Sequence, residues 1–269
     1  MKIGYIDYLN CYPFYYHMFE KESIPGVEVV PHHPSELNRL MRDRALDMSP
    51  ISAAAYADMQ GSALVLPYFC LSSIGYVRSV VLNSKVPIET LSGKIVGLTS
   101  ASQTSLILLR ILLEKYYALT PRYVTVEPKP SYENIDAALV IGNEAMLDSS
   151  EPIQYSYDLG DLWLRKTGFP VVFAVFVVDR DCLSEQRDLV KKVISSYTLS
   201  LQELRTNDDE VVRKAAERYP EIRYDIRHYY ELLKFDFSIN LKKALRFYFD
   251  EAMELGLLAH VPEIHFAEL

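Results

Sequence analysis

The stretch Phe169-Pro170-Val171-Val172-Phe173-Ala174-Val175-Phe176-Val177-Val178 is the longest apolar run in the chain. Its ten residues are too few to cross a bilayer, but they suit a strand that is buried on both faces. The residues before this run read as strands alternating with helices, and those after it read as four helices. Such alternation is typical of mostly parallel sheets with helices on their faces. We therefore predict an α/β fold that ends in a helical region.

Two α/β sets precede the apolar strand, one on each side of the Asn83–Ser84 junction. The strand and the four helices after it are more than are needed to cover the second α/β set alone. We therefore expect the C-terminal helices to return and pack against the first α/β set. The chain then forms two lobes. Lobe I comprises residues 1–83 and 174–269, and lobe II comprises residues 84–173. We expect a cleft between the lobes, and interdomain clefts are favoured sites for small molecules.

Composition and charge narrow the class of partner. Of the 269 residues, 49% are hydrophobic and 24% are charged, which excludes a disordered or fibrous chain. The formal net charge of −8 argues against a nucleic-acid partner or an anionic membrane surface, because both select a basic excess. The first residues contain no apolar stretch of signal-peptide length. We expect a cytoplasmic protein, and the sequence leaves its oligomeric state open.

Motifs with a fixed spacing give little support for several enzyme classes. The patterns G-x-S-x-G, G-x-x-x-x-G-K-[ST], G-x-G-x-x-G and H-E-x-x-H do not occur, so a hydrolase, an NTPase, a dinucleotide enzyme and a zincin are not favoured. The three cysteines lie far apart and form no C-x-x-C pair, which argues against a disulfide framework or a structural zinc site. The histidines do not fall at metal-ligand spacing. We expect neither a metal nor a cofactor.

The segment Gly97–Ser105 carries five hydroxyl residues where a predicted strand ends and a predicted helix begins. Backbone N–H groups and the positive end of the dipole make a helix N-terminus an anion site, and hydroxyl side chains add donors. Ordinary capping needs only one such residue. We therefore predict that this terminus binds a carboxylate or a phosphate through Ser102, Gln103, Thr104 and Ser105.

Polar residues in the first lobe occupy the corresponding place. Asp7, Tyr8 and Asn10 follow the opening strand, and ligands of open α/β sheets bind outside the carboxyl ends of strands. Asn10 offers both a donor and an acceptor, whereas Asp7 could serve as a cap or as a base. Ser72 and Ser73 precede the predicted crossing between the lobes and could also hydrogen-bond a ligand.

Six motifs in order along residues 3–178 resemble those of the chorismate dehydratase family, which begins the futalosine route to menaquinone. They are Asp7-Tyr8-Leu9-Asn10, Ser73-x-Gly75-x-Val77-x-Ser79-Val80, Ser84-Lys85-x-Pro87, Ser102-x-Thr104-Ser105, Ile141-Gly142-Asn143-x-Ala145, and Asp158-Leu159-Gly160-x-x-Trp163 with Thr167-Gly168-x-Pro170. The resemblance is weaker over the C-terminal helices. It implies a two-lobed fold like that of the type II periplasmic binding proteins, with chorismate in the interlobe cleft.

The activity that the resemblance implies is a hydro-lyase reaction without metal or cofactor. Chorismate would lose water to give the enolpyruvyl ether of 3-hydroxybenzoate, 3-((1-carboxyvinyl)oxy)benzoate. Asn10 and Ser73 would face the reacting edge, with Tyr8, Ser72 and Asn143 among the substrate contacts. The family has an aspartate where this chain has Asn143, and an asparagine serves equally well there as a helix cap. The base is left open between Asp7, a water molecule and the substrate's own side-chain carboxylate.

Two other functions remain under consideration. One is a non-catalytic cytoplasmic binding protein or sensor for a small carboxylate, which would use the same cleft. The other is the related dihydroxynaphthoate synthase of the same pathway. The opening of that family resembles S-P-C-P-N-D-T, whereas this chain has Ile6-Asp7-Tyr8-Leu9-Asn10-Cys11, which favours the dehydratase.

Overall fold

The computed structural model describes residues 1–147 and 153–269, and its elements alternate between strands and helices up to the apolar strand. The strands are β1 (Lys2–Ile6), β2 (Glu28–His32), β3 (Met48–Ser52), β4 (Ala63–Ser73), β5 (Val80–Ser84), β6 (Ile95–Thr99), β7 (Arg122–Val126), β8 (Ala137–Ile141), β9 (Tyr155–Asp158), β10 (Val171–Asp179) and β11 (Leu233–Asp236). The α-helices are α1 (Tyr12–Glu20), α2 (Pro34–Arg42), α3 (Gln103–Ile111), α4 (Leu159–Thr167), α5 (Arg180–Glu185), α6 (Arg187–Thr206), α7 (Asp208–Arg218), α8 (Ile226–Leu232) and α9 (Ile239–Glu254).

The strands form two mixed sheets, which confirms the two-sheet α/β fold. Sheet A has the order β11-β4-β10-β3-β1-β2, and sheet B has the order β7-β6-β8-β5-β9. Parallel pairing joins β1 to β2 and β3, and β6 to β7 and β8. The other five described strand pairs are antiparallel, so the expectation that parallel pairing dominates is corrected. The reason is that β4, β5 and β10 carry the chain out of one sheet and into the other, against the direction of their neighbours.

The chain crosses between the sheets twice, at residues 74–79 and at residues 168–170. The sequence predicts the first boundary at Asn83–Ser84, but β5 already pairs with β8 and β9 in sheet B. Similarly, β10 lies in sheet A from Val171 onward, before the predicted boundary at residue 173. The division into lobes stays a prediction, and sheet membership favours moving each boundary a few residues towards the N-terminus.

The C-terminal helices divide between the two lobes. Helix α6 packs against α1, where the Tyr197 hydroxyl donates to the Tyr15 hydroxyl at 2.7 Å within an aromatic core. Helix α9 instead reaches the helices of sheet B. Its Phe247 ring stacks on Phe169 at 4.2 Å, and its Tyr248 hydroxyl donates to the Thr104 carbonyl at 3.1 Å. The C-terminal region therefore binds both lobes together.

Candidate functional site

A narrow cavity of about 40 Å³ lies between the two sheets. The loops that follow β1, β3, β6 and β8 converge on it, as expected for the carboxyl ends of strands in open α/β sheets. Its wall consists of Ile6, Tyr8, Asn10, Pro34, Ser52, Leu71, Val77, Ser79, Val80, Ser102, Ser105, Ile141, Gly142, Phe173, Ala174 and Leu233. Strands and loops of both sheets contribute, so the cavity lies in the cleft between the two sheets.

The polar groups of this cavity carry no formal charge. Within residues 1–147 and 153–269, no aspartate, glutamate, lysine, arginine or histidine lines it. Two of its buried atoms, Asn10 Oδ1 and Ser52 Oγ, have no hydrogen-bond partner among the described residues. Buried polar groups are nearly always paired, so these two atoms are available to a polar ligand or to water in the cavity. The sequence did not single out Ser52, because only the tertiary structure brings the end of β3 into the cleft.

Two of the four predicted anion-binding residues of α3 reach the cavity. Ser102 caps the helix, and its hydroxyl contacts the Ser105 hydroxyl at 3.2 Å beside the cavity. Thr104 does not line it, because its hydroxyl accepts the backbone N–H of Ala54 at 3.1 Å across the lobes. The Gln103 side chain lines a separate outer groove. The helix terminus therefore offers Ser102, Ser105 and its first backbone N–H groups to a ligand.

Asn10 meets two residues that the sequence left without a role. The Tyr229 hydroxyl on α8 donates to Ser79 Oγ at 2.8 Å, and the Asn10 amide lowers the pKa of the same phenol. Burial raises the pKa of Tyr229. The Ser79 hydroxyl and the Asn10 amide lower it, but by less than burial raises it. Ser79 belongs to one of the motifs that carry the resemblance, and that motif was the only feature of the sequence that could have marked it as a site residue. Tyr229 lies in the region where the resemblance is weak.

The predicted site residues Ser72, Ser73 and Asp7 also lie outside the cavity. The Ser72 hydroxyl donates to the Lys234 carbonyl at 2.9 Å, between β4 and β11. The Ser73 hydroxyl donates to the Gly75 carbonyl at 3.0 Å in the first crossing. The Asp7 carboxylate is about half exposed and accepts from the Tyr219 hydroxyl at 2.9 Å in an outer groove. Each of these three side chains is hydrogen-bonded to a neighbouring group of the protein. Their roles at the site stay predictions, and their positions outside the cavity do not favour them.

Tyr8 and Asn143 form contacts between the lobes. The Tyr8 ring lies directly over Gly142, and its hydroxyl is 2.9 Å from His33 Nδ1. Burial and the nearby Glu144 carboxylate raise the pKa of Tyr8. Asn143 Oδ1 accepts the backbone N–H of Leu9 at 2.9 Å. The Asn143 side chain does not cap the turn that follows, so the capping role considered from the sequence is corrected to an interlobe hydrogen bond.

The first crossing is held in place by Asp158 at the start of α4. Its carboxylate accepts the backbone N–H groups of Arg78 at 2.7 Å, of Val77 at 3.1 Å and of Asp161 at 3.0 Å. Burial raises the pKa of this carboxyl group, and the backbone donors act in the opposite direction. Asp158 therefore fixes the loop that brings Val77 and Ser79 to the cavity wall.

Comparison with known proteins gives the family. A family model described as menaquinone biosynthesis matches residues 1–254. The chain belongs to this menaquinone biosynthesis family. It is similar to chorismate dehydratase of Thermus thermophilus, with 30% identity over 199 residues that cover 66% of this chain and 70% of that protein. It is also similar to the 1,4-dihydroxy-6-naphtoate synthase of the same organism, with 26% identity over 247 residues, 90% of this chain and 89% of that one.

Solved structures confirm the predicted fold of this menaquinone biosynthesis family member. A structural-genomics crystal structure from Archaeoglobus fulgidus superimposes with a TM-score of 0.77 at 18% identity, covering 95% of this chain and 97% of that one. A Candida albicans protein described as having the generic periplasmic binding protein fold gives 0.67 at 13% identity, covering 100% and 97%. Among the described residues, no helix is long and apolar enough to cross a membrane, and no cluster of three metal-ligating side chains occurs.

Proposed function

We propose that this protein is a hydro-lyase that dehydrates chorismate to 3-((1-carboxyvinyl)oxy)benzoate. Family membership and the similarity to a chorismate dehydratase support the proposal. The observation that carries it is the cavity between the two sheets, whose described wall is largely apolar, carries no charged side chain and holds two unpartnered buried polar atoms. That wall suits a small polar substrate that brings its own charges and its own reactive groups.

Chorismate carries two carboxylates, and the described wall offers neutral donors to them. The Ser102 and Ser105 hydroxyls and the first N–H groups of α3 bind one carboxylate, because a helix N-terminus stabilises negative charge. The Ser52 hydroxyl supplies a further donor in the same cavity. A cavity of about 40 Å³ is far below the roughly 300 Å³ of a typical small-molecule site. The lobes must therefore separate to admit the substrate and close again around it.

The reaction removes the proton on ring carbon 3 and the hydroxyl on ring carbon 4. The C–H electron pair is conjugated through a ring double bond to the ring carboxylate, so donors at that carboxylate stabilise the carbanion. The same electron pair then forms the double bond between carbons 3 and 4 as the C–O bond breaks. Hydroxide leaves and combines with the proton removed from carbon 3 to give water. The aromatic ring that results drives the reaction forward.

We propose that the substrate's enolpyruvyl carboxylate is the base. Asp7 lies in the outer groove, and the described cavity wall holds no side chain that is basic at neutral pH, since an amide and a hydroxyl are not. The Tyr8 phenol is also neutral because its pKa is raised. The enolpyruvyl group is attached to carbon 3 through its ether oxygen, so its carboxylate reaches the adjacent proton through a six-membered arrangement. The wall then has only to hold the substrate in that conformation.

A dihydroxynaphthoate synthase is the second candidate, because similarity to that enzyme extends over 90% of the chain. The naphthoate named in that activity has two fused rings. The cleft must already open to admit a single-ring substrate, and it would have to open further for two fused rings. The shorter but stronger similarity to a chorismate dehydratase points the same way.

The test is to incubate the purified chain with chorismate and follow the appearance of an aromatic ring by ultraviolet absorbance. We expect turnover in the wild type and a loss of kcat/KM of about 100-fold in Asn10→Ala, since Asn10 contributes an unpartnered acceptor to the cavity. Ser92→Ala, at an exposed serine outside the described cavity wall, is the control and should retain wild-type activity. Equal activity in Asn10→Ala and Ser92→Ala would contradict this use of the cavity.

A further inference from the structure

Three polar side chains stand together at one wall of the cleft, and a hydrogen bond joins two of them. Asn10 and Ser79 line the cavity, and the fully buried Tyr229 stands behind them without lining it. The Tyr229 hydroxyl donates to Ser79 Oγ at 2.8 Å, and the Asn10 amide faces the same phenol and lowers its pKa. Tyr229 belongs to α8, far along the chain from both partners.

The single hydrogen of the Tyr229 hydroxyl fixes the direction of both contacts. Because that hydrogen is given to Ser79, Asn10 can approach the phenol oxygen only as a donor, through its Nδ2–H group. Its Oδ1 atom then remains as an acceptor, and Oδ1 is indeed the buried atom without a partner among the described residues. Ser79 Oγ accepts from Tyr229 and so keeps its own hydrogen for another acceptor. At this wall Asn10 therefore presents an acceptor, and Ser79 presents a donor.

We propose that Tyr229 is a positioning residue that acts through Ser79, turning the hydrogen of the Ser79 hydroxyl towards the leaving hydroxyl of the substrate. The inference rests on the proposed dehydration of chorismate. The hydroxyl on ring carbon 4 donates to Asn10 Oδ1 and accepts from the Ser79 hydroxyl, so its oxygen is held in one orientation. If Asn10 were the donor and Ser79 the acceptor, the Ser79 oxygen would face the departing oxygen without a hydrogen bond. That arrangement would stabilise the growing negative charge less.

The effect of Tyr229 is expected on turnover more than on binding. As the C–O bond breaks, the departing oxygen becomes negative, and the hydrogen bond from Ser79 strengthens. A hydrogen bond received from Tyr229 polarises the Ser79 hydroxyl and makes it a better donor. Interactions that strengthen only in the transition state raise kcat and leave KM nearly unchanged.

The test is the Tyr229→Phe variant, which removes one oxygen atom and keeps the ring. We expect kcat for chorismate to fall about 10- to 100-fold, with KM within about threefold of the wild type. Tyr197→Phe is the matched control, because it removes another buried hydroxyl-to-hydroxyl bond, of 2.7 Å, away from the described cavity wall. It should leave kcat within about twofold of the wild type, since it touches no group at the cleft.

A double variant separates positioning from a merely structural role. If Tyr229 acts through Ser79, Tyr229→Phe combined with Ser79→Ala should have a kcat within about twofold of Ser79→Ala alone. Multiplicative losses would overturn the inference, as would a Tyr229→Phe kcat equal to that of Tyr197→Phe. Should Tyr229→Phe fail to fold, Asn10→Asp tests the same three side chains. A carboxylate draws the Tyr229 hydrogen away from Ser79, so a wild-type kcat in that variant would also overturn it.

Wild-type turnover distinguishes the two levels of the proposal. If the wild type dehydrates chorismate and Tyr229→Phe is unimpaired, only the role of Tyr229 is overturned. If the wild type does not convert chorismate, the proposed function fails and the role of Tyr229 fails with it.

Discussion

Replacing Gly142 by alanine should prevent the cleft from closing. Gly142 follows β8 in the second lobe with φ of +64°, and an added Cβ would lie 2.5 Å from Cε2 of the Tyr8 ring in the first lobe. Ordinary carbon contacts begin near 3.4 Å, so about 1 Å of movement is required. The Tyr8 ring is buried and its hydroxyl is bonded to His33, which restricts its retreat. Separation of the lobes is therefore the easiest relief.

The magnitude follows from comparison with Gly93→Ala. Gly93 has a similar φ of +74°, but a Cβ there meets nothing within 4 Å. Both variants bear the same backbone strain of about 1–2 kcal/mol, so their difference isolates the clash. Overpacking of a close contact costs about 1–3 kcal/mol, which corresponds to about 5- to 150-fold in kcat/KM if it opposes closure.

The assay is chorismate turnover by Gly142→Ala and Gly93→Ala, together with the melting temperature of each. We expect the kcat/KM of Gly142→Ala to be 5- to 150-fold below that of Gly93→Ala, with melting temperatures within about 2 °C of each other. Equal kcat/KM values would refute the reasoning. A clash that appeared only as a lower melting temperature would refute it as well, because the strain would then lie within the folded lobes and not between them.

Three further perturbations test other parts of the site and the core. Asn143→Asp keeps an acceptor for the Leu9 N–H and should retain kcat/KM within about threefold, whereas Asn143→Ala should lose about five- to tenfold. Ser105→Ala should lower kcat/KM for chorismate by about tenfold or more, because it removes a hydroxyl donor to a carboxylate. Burial raises the pKa of Tyr15 and Tyr197, so they stay neutral in the folded chain after ionising in the unfolded chain near pH 10. The contribution of these two tyrosines to the free energy of unfolding should be constant below that pH and fall above it, by about 1.4 kcal/mol per pH unit for each, as urea midpoints of the wild type and of Tyr197→Phe between pH 9 and 11 would show.

Local patterns in the sequence were sufficient for the elements and for part of the site. The apolar run at 169–178 is the buried strand β10, within two residues at its start. Ser102 and Ser105 were found because a strand-to-helix junction rich in hydroxyls is a short-range signal. Asn10 reaches the cavity because the end of β1 lies there in any fold of this class.

Long-range contacts account for what the sequence could not give. The bond from Tyr229 to Ser79 joins residues 150 apart, and the bond from Leu9 to Asn143 joins residues 134 apart. Neither contact can be predicted from residue spacing or from hydrophobic periodicity. The sequence predicts Ser73 at the site because it precedes the crossing, but its hydroxyl turns back to the Gly75 carbonyl. Which way a side chain faces beside a crossing depends on the tertiary path of the loop.

The central claim is that this cleft removes water from chorismate, and isotope labelling tests it most directly. Chorismate carrying deuterium on ring carbon 3 would be incubated with the wild-type chain, and the product mass would be measured. We predict an aromatic product that has lost both the deuterium and the oxygen of ring carbon 4. Recovery of unchanged labelled chorismate, even with a raised melting temperature of the protein, would contradict the claim and leave a binding protein instead.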